Sequence, residues 1–184
     1  MSAKHDCPLS DSQQQQVIDA TRACIKKAEA LFPIKSRAVD IHFNLRGRSA
    51  GMYRIRQHGR GLFKKQQREI RYNPYIFQQY FEDNLKTTVP HEVAHYISDL
   101  LYGLKNIKPH GQEWKQIMRA FDADASVTAS YDLSNIPHRR LRRFSYQCQC
   151  REHQLTAIRH NRILNSRVRY YCTRCKQPLS IKNG

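Results

Sequence analysis

The sequence predicts an α+β fold in two parts. Helical apolar stripes and strand-like alternation follow one another through the first three quarters of the chain. One of those helices, near residues 89–104, is far more apolar than the rest. Paired cysteines then gather near the C-terminus, where helical periodicity gives way to short strands. The boundary falls near 142–145, which divides the chain into 1–142 and 143–184.

Each element has its own signal. Ser10 or Ser12 caps a first helix, in which Val17, Ala20, Ala23/Cys24, Ala28 and Leu31 recur at helical spacing until Pro33 stops it. Val39, Ile41 and Phe43 alternate with polar neighbours, so 38–44 reads as a strand. Gly47, Gly51, Gly59 and Gly61 punctuate 46–61, which predicts short strands and turns. Residues 69–72 form another strand, ending at Asn73-Pro74, and a short helix covers 75–81. Together 38–72 make a small antiparallel sheet. Leu85, Val89, Val93, Tyr96/Ile97, Leu100/Leu101 and Leu104 make the strongest stripe. Pro90 either opens that helix, leaving 90–102, or kinks a longer one, and Gly103 ends it. A helix over 111–122 and an irregular stretch over 124–142 follow.

Composition narrows the function classes. A chain of 184 residues buries a core without disulfides. No apolar run reaches the ~18 residues of a membrane span, and the polar start Met1-Ser2-Ala3-Lys4 lacks an export signal, so a cytoplasmic protein is expected. The net charge of +17 favours polyanionic partners. It is unevenly placed: 46–71 carries nine basic groups against one acid, and 138–184 carries twelve against one. Residues 72–137, between them, are mildly acidic. Nucleic acid is the partner this pattern suggests.

His91-Glu92-Val93-Ala94-His95 lies on the strongest helical stripe. Positions i and i+4 share a helix face, so His91 and His95 can present imidazoles to one zinc ion. Glu92 sits beside the first of them and can act as general base on a zinc-bound water. A catalytic zinc takes three protein ligands. His110, in Pro109-His110-Gly111-Gln112-Glu113-Trp114, is the favoured third, with Gly111 allowing a tight turn behind it and Trp114 able to pack on the site. Glu113 and Asp99 are the alternatives.

Cys7 and Cys24 have no partner motif, and Cys24 reads as a buried thiol. Cys148-x-Cys150 and Cys172-x-x-Cys175 are clustered, which favours metal over disulfides in a chain without an export signal. Two pairs separated by two strands and a turn describe a zinc ribbon. Cys148-x-Cys150 is tighter than usual, whereas Cys150-x-x-His153 has the common spacing, so the fourth ligand is Cys148 or His153. Arg139, Arg140, Arg142, Arg143, Arg151, Arg159, Arg162, Arg167, Arg169 and Arg174 crowd this module, with Tyr146, Tyr170 and Tyr171 between them. Arginines bridge phosphates and tyrosines stack on unpaired bases. Of the adjacent Tyr170 and Tyr171, one is expected to face the small core and the other to be available.

Val89-Pro90-His91-Glu92-Val93-Ala94-His95 with Pro109-His110-Gly111-Gln112-Glu113-Trp114 resembles the SprT family of bacteria. In the metalloprotease core the chain is also similar to the Spartan proteases of eukaryotes. The likeness extends to Arg46-Gly47-Arg48-Ser49-Ala50-Gly51, to 146–155 and to Arg159-His160-Asn161-Arg162. It implies a zincin-like core followed by a zinc ribbon. It also implies zinc on His91, His95 and His110, a catalytic Glu92, and an all-cysteine ribbon site of Cys148, Cys150, Cys172 and Cys175.

The expected activity is a zinc-dependent endopeptidase acting on DNA-associated or DNA-crosslinked proteins. It carries one catalytic and one structural zinc, prefers single-stranded or distorted DNA, and works as a nucleoid-associated monomer. Tyr96, Tyr102, Tyr131 and His138 are candidates for stabilising the oxyanion. The competing expectation is a non-proteolytic, zinc-containing DNA-binding or regulatory protein. An intact Glu92 argues against it.

Overall fold

A computed structural model describes residues 7–59, 65–126, 131–136, 142–166 and 168–182. His138, Arg139, Arg140 and Arg167, with Arg60, Gly61 and Lys64 of the first basic block, lie outside the described residues. The chain divides into two compact units, 1–138 and 139–184. The architecture is mixed α and β, with one small sheet in each unit.

In the first unit, Ser10 caps α1 (Asp11–Leu31). Its hydroxyl accepts from the Gln13 N–H while its own N–H donates to the Gln13 side chain, which satisfies two otherwise orphaned donors. Strands β1 (Val39–His42), β2 (Gly51–His58) and β3 (Lys65–Tyr72) form one sheet in the order β1-β3-β2. This sheet is mixed, not antiparallel throughout. β2 runs antiparallel to β3, with Gly51 opposite Tyr72, but β1 runs parallel to it, with Val39 opposite Arg68. The loop between β1 and β2 crosses the end of β3, where the Asn73 amide donates to the Gly47 and Ser49 carbonyls and Leu45 N–H donates to Tyr72 O. The chain therefore returns as β2 on the far side of β3. The glycine-punctuated stretch is thus one crossing loop and one eight-residue strand.

Asn73 also caps α2 (Pro74–Gln79), accepting from Tyr75 N–H, and Pro74 takes the first helical position, where its missing N–H is not needed. A separate short helix, α3 (Phe81–Lys86), follows. Then comes α4 (Thr88–Tyr102), in which Pro90 is the third residue. It falls within the first turn, whose N–H groups have no intrahelical partner, so it neither opens nor kinks the helix. Val89, Val93, Ala94, Tyr96 and Ile97 of α4 are fully buried in the core. α5 (Gln112–Ala120) has nine residues, too few to be stable alone. It buries Trp114, Ile117 and Met118, each contributing about 1.5–3 kcal/mol.

A buried ion pair ties sheet to helix. Arg68 Nε donates to Asp99 Oδ2 at 2.8 Å, and the Tyr53 hydroxyl donates to the same oxygen at 2.9 Å. The Arg68 and Asp99 side chains are only 9% and 6% exposed.

In the second unit, β4 (Arg143–Gln147), β5 (Glu152–Thr156) and β6 (Ser180–Ile181) form an antiparallel sheet in the order β5-β4-β6. Two strands and a turn are expected between Cys150 and Cys172, but β5 is followed there by a ten-residue helix, α6 (Ala157–Ser166). α6 has no apolar stripe to announce it. Its anchor is His160, buried, stacked on Phe144 at 3.6 Å, with Nδ1 3.0 Å from the Tyr146 hydroxyl. Ile158 and Leu164 point outward instead.

Candidate metal centres

α4 places His91 and His95 one turn apart, and the loop before α5 brings His110 to them. The three Nε2 atoms lie 3.0, 3.0 and 3.2 Å from one another. Ligands about 2.05 Å from a tetrahedral zinc would be ~3.3 Å apart. Three ring nitrogens of one kind converging this closely cannot satisfy each other as hydrogen-bond donors and acceptors, whereas one cation satisfies all three. Burial pulls the His91 pKa down to about 4 and that of His95 to about 3, and lowers His110 as well. The rings are therefore neutral at neutral pH, the form that binds metal.

A stability consequence follows. Unfolded imidazoles take up protons near pH 6.5 that the folded, metal-free site refuses. Stability of the chelated protein is expected to fall as pH drops from about 6.5 toward 4. Melting temperatures across that range check it, and a flat profile would remove burial as the cause.

His110 itself adopts the left-handed region, with φ of 54°, a strained conformation for a side chain of this kind. Gly111 is not the residue at positive φ. It serves by lacking a side chain, since a Cβ there would stand 2.9 Å from Lys108 O. Trp114 backs the whole group, with its ring 4.7 Å from His91, 5.7 Å from His95 and 4.7 Å from His110, and its Nε1 donating to His91 O. It is the chain's single tryptophan. Binding of Cu²⁺ or Co²⁺ at the histidines is expected to quench its fluorescence strongly, and His110→Ala to abolish the quenching. Equal quenching in that variant would place the metal elsewhere.

Glu92 is buried beside this group. It accepts a hydrogen bond from Tyr53 N–H, and burial raises its pKa to about 8 in the metal-free protein. A nearby cation would draw it back toward the carboxylate. Gly51 is what lets β2 come this near: a Cβ at that position would lie 2.5 Å from Glu92 Cγ and 2.6 Å from Oε1. Sequence reading treats Gly51 as turn punctuation and misses this contact, although a glycine inside a strand is itself a sign of close approach. Gly51→Ala is expected to displace Glu92 while the histidines still bind metal. A crystal structure of that variant with Glu92 unmoved would show the contact to be slack.

A cleft of about 530 Å³ opens over the histidines and Glu92, walled by Met52, Leu104, Ile107 and Leu133 among others. Tyr131 lines it, whereas Tyr96 is buried with its hydroxyl donating to Arg37 O. Tyr102 is partly exposed and, among the described residues, is not part of the lining. Asp99 is committed to Arg68 and Tyr53, and Glu113 does not join the three histidines.

In the second unit, Cys148, Cys150, Cys172 and Cys175 gather with their sulfur atoms within 4.8 Å of one another. Cys148 and Cys150 Sγ are 3.5 Å apart, and Cys150 and Cys172 Sγ 3.7 Å apart, against about 3.75 Å for thiolates around a tetrahedral zinc. His153 Nε2 lies 3.2 Å from Cys148 Sγ, at the flank of the cluster. Cys24 is half-buried against the core of the first unit, and burial raises its thiol pKa. Tyr170 is half-buried under Arg159, and Tyr171 is 56% exposed.

These features define a two-unit α+β protein with two candidate metal centres, one of three histidines beside a buried glutamate and one of four cysteines. A family model described as the SprT-like family matches residues 21–135, and the chain belongs to that family. It is 32% identical over 177 residues to Protein SprT of Vibrio parahaemolyticus, covering 96% of each chain. It is 32% identical to Protein SprT of Shewanella oneidensis over 91% of this chain and 99% of the relative. With Protein SprT of Pasteurella multocida it shares 31% identity over 91% and 93% of the two chains. No solved structure matches.

Proposed function

We propose that the chain is a zinc-dependent endopeptidase, with a zincin-like first unit and a zinc-ribbon second unit, acting on proteins bound or crosslinked to DNA. The observation that carries the reading is the convergence of three neutral imidazoles next to one buried carboxylate at the floor of an open cleft. Three ligands, where a structural zinc takes four, suit an ion that keeps a position for chemistry. Zinc bound there would supply Lewis-acid polarisation of a scissile carbonyl and acidify a water molecule. Glu92 takes the proton of that attacking water and passes it to the leaving amine. Tyr53 N–H holds the Glu92 carboxylate in place, and Trp114 holds the rings. Tyr131 is the tyrosine candidate that lines the cleft, but its hydroxyl donates to Asp83 Oδ2, so it would hydrogen-bond a carbonyl oxygen only by leaving that carboxylate.

Charge supports the DNA half of the reading. Of the first basic block, Arg54 and Arg56 are paired with buried Glu69, and Arg68 with Asp99. The C-terminal block spends little charge internally, with a Lys182–Glu152 pair as its ion pair among the described residues. Its cations among the described residues are otherwise without a carboxylate partner, and with exposed Tyr171 they support the second unit as the main contact for phosphates and unpaired bases. Among the described residues no helix is long and apolar enough to cross a membrane, and we place the protein with DNA in the cytoplasm. Zinc content measured together with casein and self-cleavage, with and without single-stranded DNA, tests the reading. Two zinc ions and DNA-stimulated hydrolysis are expected. Zinc without hydrolysis under either condition would favour a DNA-binding protein with structural metal.

A further inference from the structure

The C-terminal centre gathers four cysteine sulfurs, and a further donor, His153 Nε2, lies 3.2 Å from one of them, Cys148 Sγ. Cys148 and His153 flank the same tight turn, where Cys148 N–H donates to Arg151 O at 3.1 Å. Cys148 ends the β4 side and His153 lies in β5, opposite Tyr146 of β4. Their ligating atoms are 3.2 Å apart, less than the ~3.6 Å edge between a thiolate and an imidazole that bind one zinc together. His153 therefore stands beside Cys148, within hydrogen-bond reach of its sulfur. Among the described residues Cys150, Cys172 and Cys175 have no such neighbour: the other cluster contacts of Cys150 and Cys172 are to cysteine sulfurs or to backbone.

We propose that this centre has two interchangeable ligand sets, Cys148-Cys150-Cys172-Cys175 and Cys150-Cys172-Cys175-His153, with His153 held in reserve for Cys148. The inference rests on reading the cysteine cluster as a zinc site. In the first set the His153 Nε2–H donates to the Cys148 thiolate and offsets part of its charge, as outer-shell donors do. In the second the metal–sulfur bond to Cys148 breaks and a metal–nitrogen bond to Nε2 forms. The Nε2 proton passes to Cys148 Sγ and Nδ1 takes one from water, so the exchange takes up a single proton. A centre built this way keeps its ion when the half-buried Cys148 thiolate is lost to oxidation or alkylation, with His153 on the adjoining strand as the substitute ligand.

The test loads the full chain with Co²⁺ and reads the sulfur-to-cobalt charge-transfer absorption, which the histidine centre does not produce. Wild type and His153→Ala are expected to show the full band, with the affinity of His153→Ala lower by about 10–100-fold. Cys148→Ala is expected to keep the site with the band reduced by about one quarter, as one of four thiolates is lost. Cys150→Ala and the double variant Cys148→Ala/His153→Ala are expected to lose it. If Cys148→Ala loses the site as Cys150→Ala does, the reserve role is overturned. Loss in His153→Ala alone, or retention in the double variant, overturns it equally. No charge-transfer band in the wild-type chain would instead remove the metal reading of the cluster itself.

Discussion

Glu92→Gln is expected to retain both metal ions and the wild-type fold while peptide hydrolysis falls by about 10²–10⁴-fold, the usual worth of a positioned general base. Glutamine preserves the length and volume that fit against Gly51, and its amide oxygen can still accept from Tyr53 N–H. What it lacks is a basic oxygen to take a proton. Activity against casein, normalised to zinc content, measures the loss, and undiminished hydrolysis in a clean preparation would sink the mechanism. His91→Ala or His95→Ala should remove one zinc and all hydrolysis while the cysteine centre keeps its ion. That pattern separates a ligand from a base, since only the ligand variants change metal content.

The second large effect lies in DNA affinity. If about six side chains neutralise phosphates, the logarithm of the binding constant for single strands falls against log salt with a slope near −4. Between 50 and 200 mM salt this is a loss of roughly 250-fold. Titrations at several salt concentrations read the slope directly, and a flat line would refute the electrostatic footprint. Tyr171→Ala, removing an exposed ring, is expected to cost about 1–3 kcal/mol on single strands and leave the slope unchanged. Equal wild-type binding to duplex and single strand would reduce the contact to phosphates alone.

Much of the fold is legible in the sequence, and the exceptions share a cause. His91 and His95 are legible because helical geometry alone puts i and i+4 on one face. His110 follows from its place at the entrance to the next helix, which Trp114 then secures. The parallel pairing of β1 was not legible, because alternation marks a strand but not the direction of its neighbour, and the crossing loop that decides it is held by the distant Asn73. The helix α6 was hidden because a histidine, not an apolar stripe, anchors it. Gly51 against Glu92 and Arg68 against Asp99 join β-strands to α4 across 31 or more residues of chain, beyond the reach of any local pattern.

The Arg68–Asp99 pair also limits how this protein's descendants can vary. Removing either partner strands a buried charge at a cost of about 3–5 kcal/mol, enough to unfold many domains, while replacing both with apolar side chains of similar volume is often neutral. The two arrangements are comparable in stability, but a route that changes one partner at a time passes through a strongly destabilised intermediate. Lineages that inherit the pair are therefore held to it by history more than by advantage. Positions 68 and 99, with Tyr53 bonded to the same carboxylate, should change together in one event or stay as they are.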